Sequence, residues 1–259
     1  IADISQLQAA LVVGSTLRKD HPLIAQRLRQ AVKQGAQLNL INPVNDDLLT
    51  KVANQAIVAP KQMAATLAQV LKAVAAIKGV AIPAAVQSSV AGITVSHSTA
   101  TAQAIAASLV NHQPAAVLLG NLAQHHPQYA DLHALAQHIA ALAGASFGLL
   151  GEAANSVGAY LAQAVPTQAG KNAAQMLAGK DANCKAYVLM NLEPELDSHN
   201  PQSAMAALAA AELVVVMSSY KGAASEYADV LLPIAPFTET SGTFINTAGQ
   251  TQSFNGVVP

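Results

Sequence analysis

Residues 8–42 read QAALVVGSTLRKDHPLIAQRLRQAVKQGAQLNLIN, and the order of residue types in this stretch decides the fold. Ala10–Gly14 is a short apolar run closed by glycine, the pattern of a buried parallel strand. Asp20 is placed to cap the helix that follows, with Pro22 in its first turn. Ile24, Leu28, Ala31 and Val32 form one apolar stripe; Lys33 lies in the last turn and Gly35 ends the helix. Leu38–Ile41 is the next strand. Residues 8–42 are therefore one βαβ unit, whose crossover is expected to be right-handed.

The unit has an echo. Residues 9–22 read AALVVGSTLRKDHP, and residues 115–127 read AAVLLGNLAQHHP. Both are strand, glycine turn, then His-Pro at a helix start. Two readings stand side by side: a pair of related phosphate-cradling loops, or a pattern on which any βα unit converges. Either way, both loops are expected at the carboxyl ends of parallel strands, where loops of open α/β sheets meet ligands.

Between and beyond these stretches, strands and helices alternate. Met63, Leu67, Val70, Leu71, Val74 and Ile77 recur at spacings of three and four, which predicts an amphipathic helix. Residues 79–92 read as a connection between domains. Ile93–Val95 is a short strand, with Ser98 or Thr99 capping a helix through about Asn111. Leu132, Leu135, Ile139 and Leu142 line the next helix, ended by Gly144. Phe147–Leu150, Ala186–Met190, Leu213–Met217 and Val230–Leu232 are further strands. The fold class is α/β, with Rossmann-like, mostly parallel sheets and helices on both faces. Two domains are expected, residues 1–92 and 93–259.

Composition narrows the function. Charged residues are 10% of the 259 and the net charge is −1, which excludes electrostatic capture of nucleic acid or an anionic membrane as the main activity. With 52% hydrophobic residues, the chain is not disordered. From Gly79 to Ala130 no Asp, Glu, Lys or Arg occurs, but Gln, Ser, His and Asn interrupt the run too often for a membrane span. The one cysteine, Cys184, allows no intrachain disulfide and cannot hold an iron–sulfur cluster by the usual thiolate set. It reads as a small apolar residue opening a strand rather than a reactive thiol. The chain begins at Ile1 without a basic-then-apolar leader and reads as a piece of something longer.

Candidate chemistry is sparse. Gly14-Ser15-Thr16 follows a strand and precedes a helix, as a dinucleotide site does, but G-x-G-x-x-G is missing. Asn42 ends the second strand, where an acid would hold a ribose. His125, His126, His133 and His138 cluster without the i,i+4 pairing that a helix-borne metal site wants, so they read as surface residues. Glu193 and Glu195 flank Pro194 in a loop and read as solvated.

The C-terminal stretch is more specific. Ala228-Asp229-Val230-Leu231-Leu232-Pro233 precedes Glu239, Gly242-Thr243, Asn246, Gly249 and Gln252. This resembles the A-D-V-x-L-P … E-x-x-G-T-x-x-N-x-E-G-R-x-Q signature of the molybdopterin oxidoreductase superfamily. GSTLRKDHP at 14–22 resembles that family's G-S-N-P-x-E-x-H-P loop; INP at 41–43 stands where it has D-P-R, and IVAP at 57–60 where it has a P-G-T-D loop. Within the superfamily, the chain is most similar to the large iron–sulfur subunits of bacterial NADH:quinone oxidoreductases, in the later part of their molybdoenzyme-like region.

The resemblance implies electron transfer from NADH through flavin and iron–sulfur clusters to quinone in a whole complex. It implies clusters on an upstream part, other subunits as partners, and a peripheral place on the cytoplasmic face of the bacterial inner membrane. It implies neither nucleic-acid binding nor direct membrane insertion. Active family members use the three loops against a guanine dinucleotide cofactor. Here Thr16 replaces Asn, Asn42-Pro43-Val44 replaces D-P-R, and Pro60-Lys61-Gln62-Met63 replaces P-G-T-D. These departures imply degenerate loops at Gly14, Ser15, Thr16, Asn42, Pro60 and Lys61, with no molybdenum cofactor and no catalytic residue. The rival is the central part of a true molybdenum enzyme such as a formate dehydrogenase, which would keep the loops intact. Ala248 and Gln250 stand for the family's Glu and Arg, and their joint change is expected to reflect loss of a buried ion pair.

Overall fold

The computed structural model describes residues 2–91, 100–167 and 170–257. Two compact units divide between Ala154 and Asn155.

The first unit is a five-stranded parallel sheet of order β3-β2-β1-β4-β5. Its strands are β1 (Ala9–Val13), β2 (Gln37–Asn42), β3 (Asn54–Ile57), β4 (Ala115–Leu119) and β5 (Ser146–Leu149). Val12 of β1 lies between Leu40 of β2 and Leu118 of β4, so β1 is the centre. All five of its residues are buried, which is why it reads as an unbroken apolar run. Four longer helices accompany the strands: α1 (Pro22–Lys33), α2 (Met63–Lys78), α3 (Ala100–Asn111) and α4 (Tyr129–Ala143).

Successive residues of β1 point to opposite faces. Ala9, Leu11 and Val13 pack with Leu67, Leu71, Ile105, Leu109, Leu132 and Leu135 of α2, α3 and α4. Ala10 and Val12 pack with Ile24 and Leu28 of α1. The chain runs outward from β1 to β3, crosses back through α2 and α3, and adds β4 on the other side of β1. This reversal puts helices on both faces.

The second unit holds three parallel strands in the order β6-β7-β8: β6 (Ala186–Met190), β7 (Leu213–Ser218) and β8 (Val230–Pro233). Helix α5 (Pro201–Ala209) connects the first two. An antiparallel hairpin follows, β9 (Gly242–Ile245) with β10 (Thr251–Phe254). Tyr187, Leu189, Val214 and Val216 pack on Ala207 and Leu208 of α5 and on Ala224 of the β7–β8 connection.

Several expectations need correction. The division falls at 154/155, not 92/93, because β4 and β5 complete the sheet that β1 begins. Within residues 79–91, Val86 and Val90 are buried in the first unit's core, so this stretch is not a link between domains. The strand at Ile93–Val95 and the caps at Ser98 and Thr99 lie outside the described residues. Asp20 does not cap α1: it closes a short helical turn, Leu17–Asp20, and His21 stands at the cap position with no side-chain bond. Helices on both faces hold for the first sheet. Among the described residues, the second sheet carries its helix and its β7–β8 connection on one face only.

Asn39 is a polar residue buried within the first sheet. Asn39 of β2 has no exposed surface, and its amide nitrogen donates to Ser108 Oγ of α3 (2.9 Å) and to Ala10 O (3.1 Å). Its carbonyl oxygen accepts from Asn54 Nδ2 of β3 (2.7 Å). Asn39→Leu strips a partner from buried Ser108, at a cost of about 1–3 kcal/mol for a buried polar group left unpaired, and another from half-buried Asn54. Urea unfolding is expected to show a lower midpoint for the first unit with an unchanged denaturant slope.

Candidate functional site

The candidate site lies where the carboxyl ends of β1 and β4 face each other, the point at which the strand order reverses. Both echoed loops are there, each after a parallel strand, as expected from their sequences. Gly14 follows β1 with a φ of 61°, a left-handed conformation that suits glycine. Its carbonyl accepts from Ala123 N (3.2 Å), and its own N–H donates to Ile41 O (2.9 Å). Gly120 N donates to Val13 O (2.8 Å). A Cβ on Gly14 would lie 2.6 Å from Ala123 N, and one on Gly120 would strike Ser15 Cβ and the Gly14 carbonyl. The two turns are in direct contact.

Asn42 ends β2 and is buried. Its Oδ1 accepts from Ser15 N (3.0 Å), and its Nδ2 donates to Ser15 O (3.2 Å) and Val44 O (2.9 Å). It binds the first loop on both sides of Ser15. Asp20 joins the two echoed loops. Its Oδ2 accepts from Thr16 Oγ1 and from Asn121 Nδ2, the latter at 2.7 Å. Three buried atoms in this region, Ser15 Oγ, His21 Nε2 and Asn121 Oδ1, have no hydrogen-bond partner among the described residues. Burial holds His21 below the usual histidine range, while the Asp20 carboxylate works against that shift. Ser15 and His21 do not hydrogen-bond each other, so no activated serine is assembled.

The third loop is tied in by His126. Its Nδ1 accepts from Gln128 N (3.0 Å), which leaves Nε2 to donate to Pro60 O (3.0 Å), so both ring nitrogens are used. Lys61 is exposed and borders a cleft of about 500 Å³ with Ser88, Ser89, Gln128 and Asp131.

The histidine cluster disperses. His125 pairs with Glu152 at 2.6 Å on the surface. His133 meets Tyr129 and Phe147 edge-on, with ring centroids 5.7 and 5.1 Å away. Among the described residues no three His, Cys, Asp or Glu side chains converge as a metal site would require. His126 departs from the surface reading, because it is buried and bridges two loops.

In the second unit, the C-terminal signature builds the hairpin. Asn246 Oδ1 accepts from Ala248 N (2.9 Å) and Gln250 N (3.0 Å), and Gly249 takes a φ of 77° to close the turn. A Cβ on Gly242 would lie 2.7 Å from the Phe254 ring. Thr243 Oγ1 meets Ser253 Oγ at 3.0 Å across the strands. Glu239 N donates to Pro236 O (3.0 Å) just before the hairpin. Ala248 and Gln250 are both exposed, which corrects the buried-pair expectation: an ion pair here is worth about 0–1 kcal/mol, not a buried pair's penalty. Glu195 is not merely solvated, since its Oε2 accepts from Tyr227 OH (3.2 Å). Burial first, then Glu195, pushes the Tyr227 phenol up to about 12. Cys184 is half-buried just ahead of β6, its Sγ 3.7 Å from Ala182 O.

Asp20, Asn121 and His126 carry contacts that sequence reasoning did not assign to them. The echo held the signal: the two His-Pro pairs mark matching positions, and both histidines are buried.

Comparison with known proteins places the chain. The molybdopterin oxidoreductase family profile matches residues 1–259. The G subunit of the NADH-quinone oxidoreductase of Mycobacterium bovis is 35% identical over 91 residues, which are 35% of this chain and 11% of that protein. The same protein of Mycobacterium tuberculosis matches to the same extent. The match thus spans only a small part of these relatives. Among solved structures, the fold is similar to the formyltransferase/hydrolase complex of Methylorubrum extorquens, seen with methylofuran. There the TM-score is 0.62 at 14% identity, over all of this chain and 71% of the other.

Two outcomes follow from the geometry. Gly120→Ala is expected to lower the melting temperature, because overpacking at an unyielding contact costs about 1–3 kcal/mol. His21 gives a pH dependence. Its native pKa is lowered, so below about pH 6.5 the unfolded chain takes up the proton first. Its contribution is complete above that pH and is lost as pH falls toward the lowered native value. Denaturation midpoints from pH 8 to pH 5 are expected to fall less steeply in His21→Gln.

Proposed function

Because the chain belongs to the molybdopterin oxidoreductase family, we propose that it serves as a non-catalytic scaffold within the large subunit of a proton-pumping NADH:quinone oxidoreductase. The similarity to the two mycobacterial proteins supports this assignment. In the whole complex, electrons would pass from NADH through flavin and iron–sulfur clusters to quinone. This chain, with Cys184 alone, carries no such cluster. Its partners are the other subunits. Its place is the cytoplasmic face of the bacterial inner membrane, as a peripheral component. Among the described residues, no helix is long and apolar enough to cross a membrane.

One observation carries the non-catalytic part of the reading. The family's cofactor bears a guanine dinucleotide, and a phosphate at a glycine turn needs free backbone N–H groups. Here Gly14 N, Ser15 N and Gly120 N are already donated, to Ile41 O, Asn42 Oδ1 and Val13 O. The joined loops present the Asp20 carboxylate, which repels a phosphate. Asn42 and His126 spend their polar atoms on holding the loops. The residues present do not fit the group, and a formate-dehydrogenase-like activity finds no support in this geometry.

The test is metal analysis with thermal melting. The purified chain is expected to contain no molybdenum, and millimolar GMP or GDP is expected to leave its melting temperature unchanged. A ligand at a hundred times its dissociation constant adds about 2.7 kcal/mol, and about 2–4 °C accompanies each kcal/mol at this size. Stoichiometric molybdenum, or a saturable rise of several degrees, overturns the proposal.

A further inference from the structure

Asparagine followed by glycine occurs once in the chain, at Asn255-Gly256. The pair lies just past β10, which ends at Phe254, and both residues are exposed. Among the described residues, neither the Asn255 side chain nor the Gly256 N–H has a hydrogen-bond partner. The backbone around them is anchored all the same. Phe254 pairs with Gly242 across the hairpin, and Val257 N donates to Thr238 O (2.8 Å). Between these points Gly256 is pressed onto the backbone of Glu239: a Cβ there would lie 2.7 Å from the Glu239 carbonyl oxygen. Close packing thus demands glycine, and it leaves an uncrowded, unbonded backbone nitrogen next to an unrestrained side-chain amide.

Other asparagines lack this combination. Asn42 and Asn200 precede proline, which has no N–H. Asn39 and Asn121 precede leucine, whose side chain crowds the backbone nitrogen. Asn155 precedes the small Ser156, but its Oδ1 accepts from Ile245 N (2.9 Å). Asn246 Oδ1 is held by Ala248 N and Gln250 N.

We infer that Asn255-Gly256 is a site of spontaneous self-modification, at which the folded chain converts its own asparagine to isoaspartate and aspartate through a succinimide. Hydroxide takes the Gly256 amide proton, and the nitrogen forms a bond to Asn255 Cγ. The Cγ–Nδ2 bond breaks; Nδ2 takes a proton from water and leaves as ammonia, which regenerates hydroxide. Water then opens the ring. Attack at Cγ gives aspartate on an unchanged backbone. Attack at the main-chain carbonyl gives isoaspartate, with the chain now running through Cγ. Nothing is oxidised or reduced, and water is the only co-reactant.

The products act on the contact with Glu239. Isoaspartate lengthens the main chain by one carbon between Phe254 and Gly256, so the pairing of Phe254 and the Val257–Thr238 bond no longer fit together. Either product adds a carboxylate to a segment, Pro233 to Val257, in which Glu239 is the one charged residue and no cation offsets it. The segment after β10 is therefore expected to loosen as the protein ages. The inference does not rest on the non-catalytic reading.

Peptide mapping by mass spectrometry tests it, together with labelling by an isoaspartyl methyltransferase. The purified chain is incubated folded at neutral and at mildly alkaline pH. Asn255 is expected to convert to a mixture of isoaspartate and aspartate, faster at the higher pH, while the other asparagines stay unconverted. Asn255→Gln is expected to abolish the methyltransferase label. Conversion confined to chain unfolded in urea overturns the inference, because the fold then protects the pair. Aspartate without isoaspartate also overturns it, since no succinimide has formed, as does a label that persists in Asn255→Gln. Hydrogen exchange at the Val257 amide reads the consequence: it is expected to be faster in the aged chain than in fresh chain or in aged Asn255→Gln. Unchanged exchange after conversion overturns the loosening.

Discussion

Two glycine turns in contact, at the ends of β1 and β4, set the terms for the first unit. Neither position has room for a Cβ, because each would meet the backbone or side chain of the opposite turn. The contact exists because the two strands are neighbours and run the same way. Their neighbourhood in turn depends on the crossover through α2 and α3. That crossover buries the largest apolar cluster among the described residues. Hydrophobic burial thus brings the strands together, and the absence of side chains at Gly14 and Gly120 lets their loops close.

Closure changes what the polar residues near the reversal point do. In an open α/β sheet this crevice is the natural place for a ligand. Here the polar groups face inward, toward other parts of the loops. Asn42 holds Ser15, Asp20 receives Thr16 and Asn121, and His126 reaches Pro60. Most of the polar side-chain atoms around the crevice are spent on the chain itself, while Ser15 Oγ, His21 Nε2 and Asn121 Oδ1 have no partner among the described residues. The same economy appears in the C-terminal signature, where Asn246, Gly242 and Gly249 shape a hairpin.

The two units differ in one topological respect, with a large physical consequence. The first sheet reverses its order at the centre and is covered on both faces. The second advances in one direction and is covered on one. Crossover handedness makes this difference, not composition, since strands such as LVVVM and ALVVG are equally apolar.

Periodicity and punctuation in the sequence by themselves determined the α/β class, the βαβ opening and the limits of most strands and helices. These signals are local: an apolar run, a glycine, a stripe at spacings of three and four. The family, too, was legible from short motifs at fixed spacing. The tertiary structure alone decided where the units divide, because strand order joins residues more than a hundred positions apart. It alone showed that Asp20 ties two loops together rather than capping a helix, since its partner Asn121 is remote in sequence. The bare face of the second sheet was hidden for the same reason. Alternation shows that a strand has two sides, but only the direction in which strands are added tells which side the helices cover.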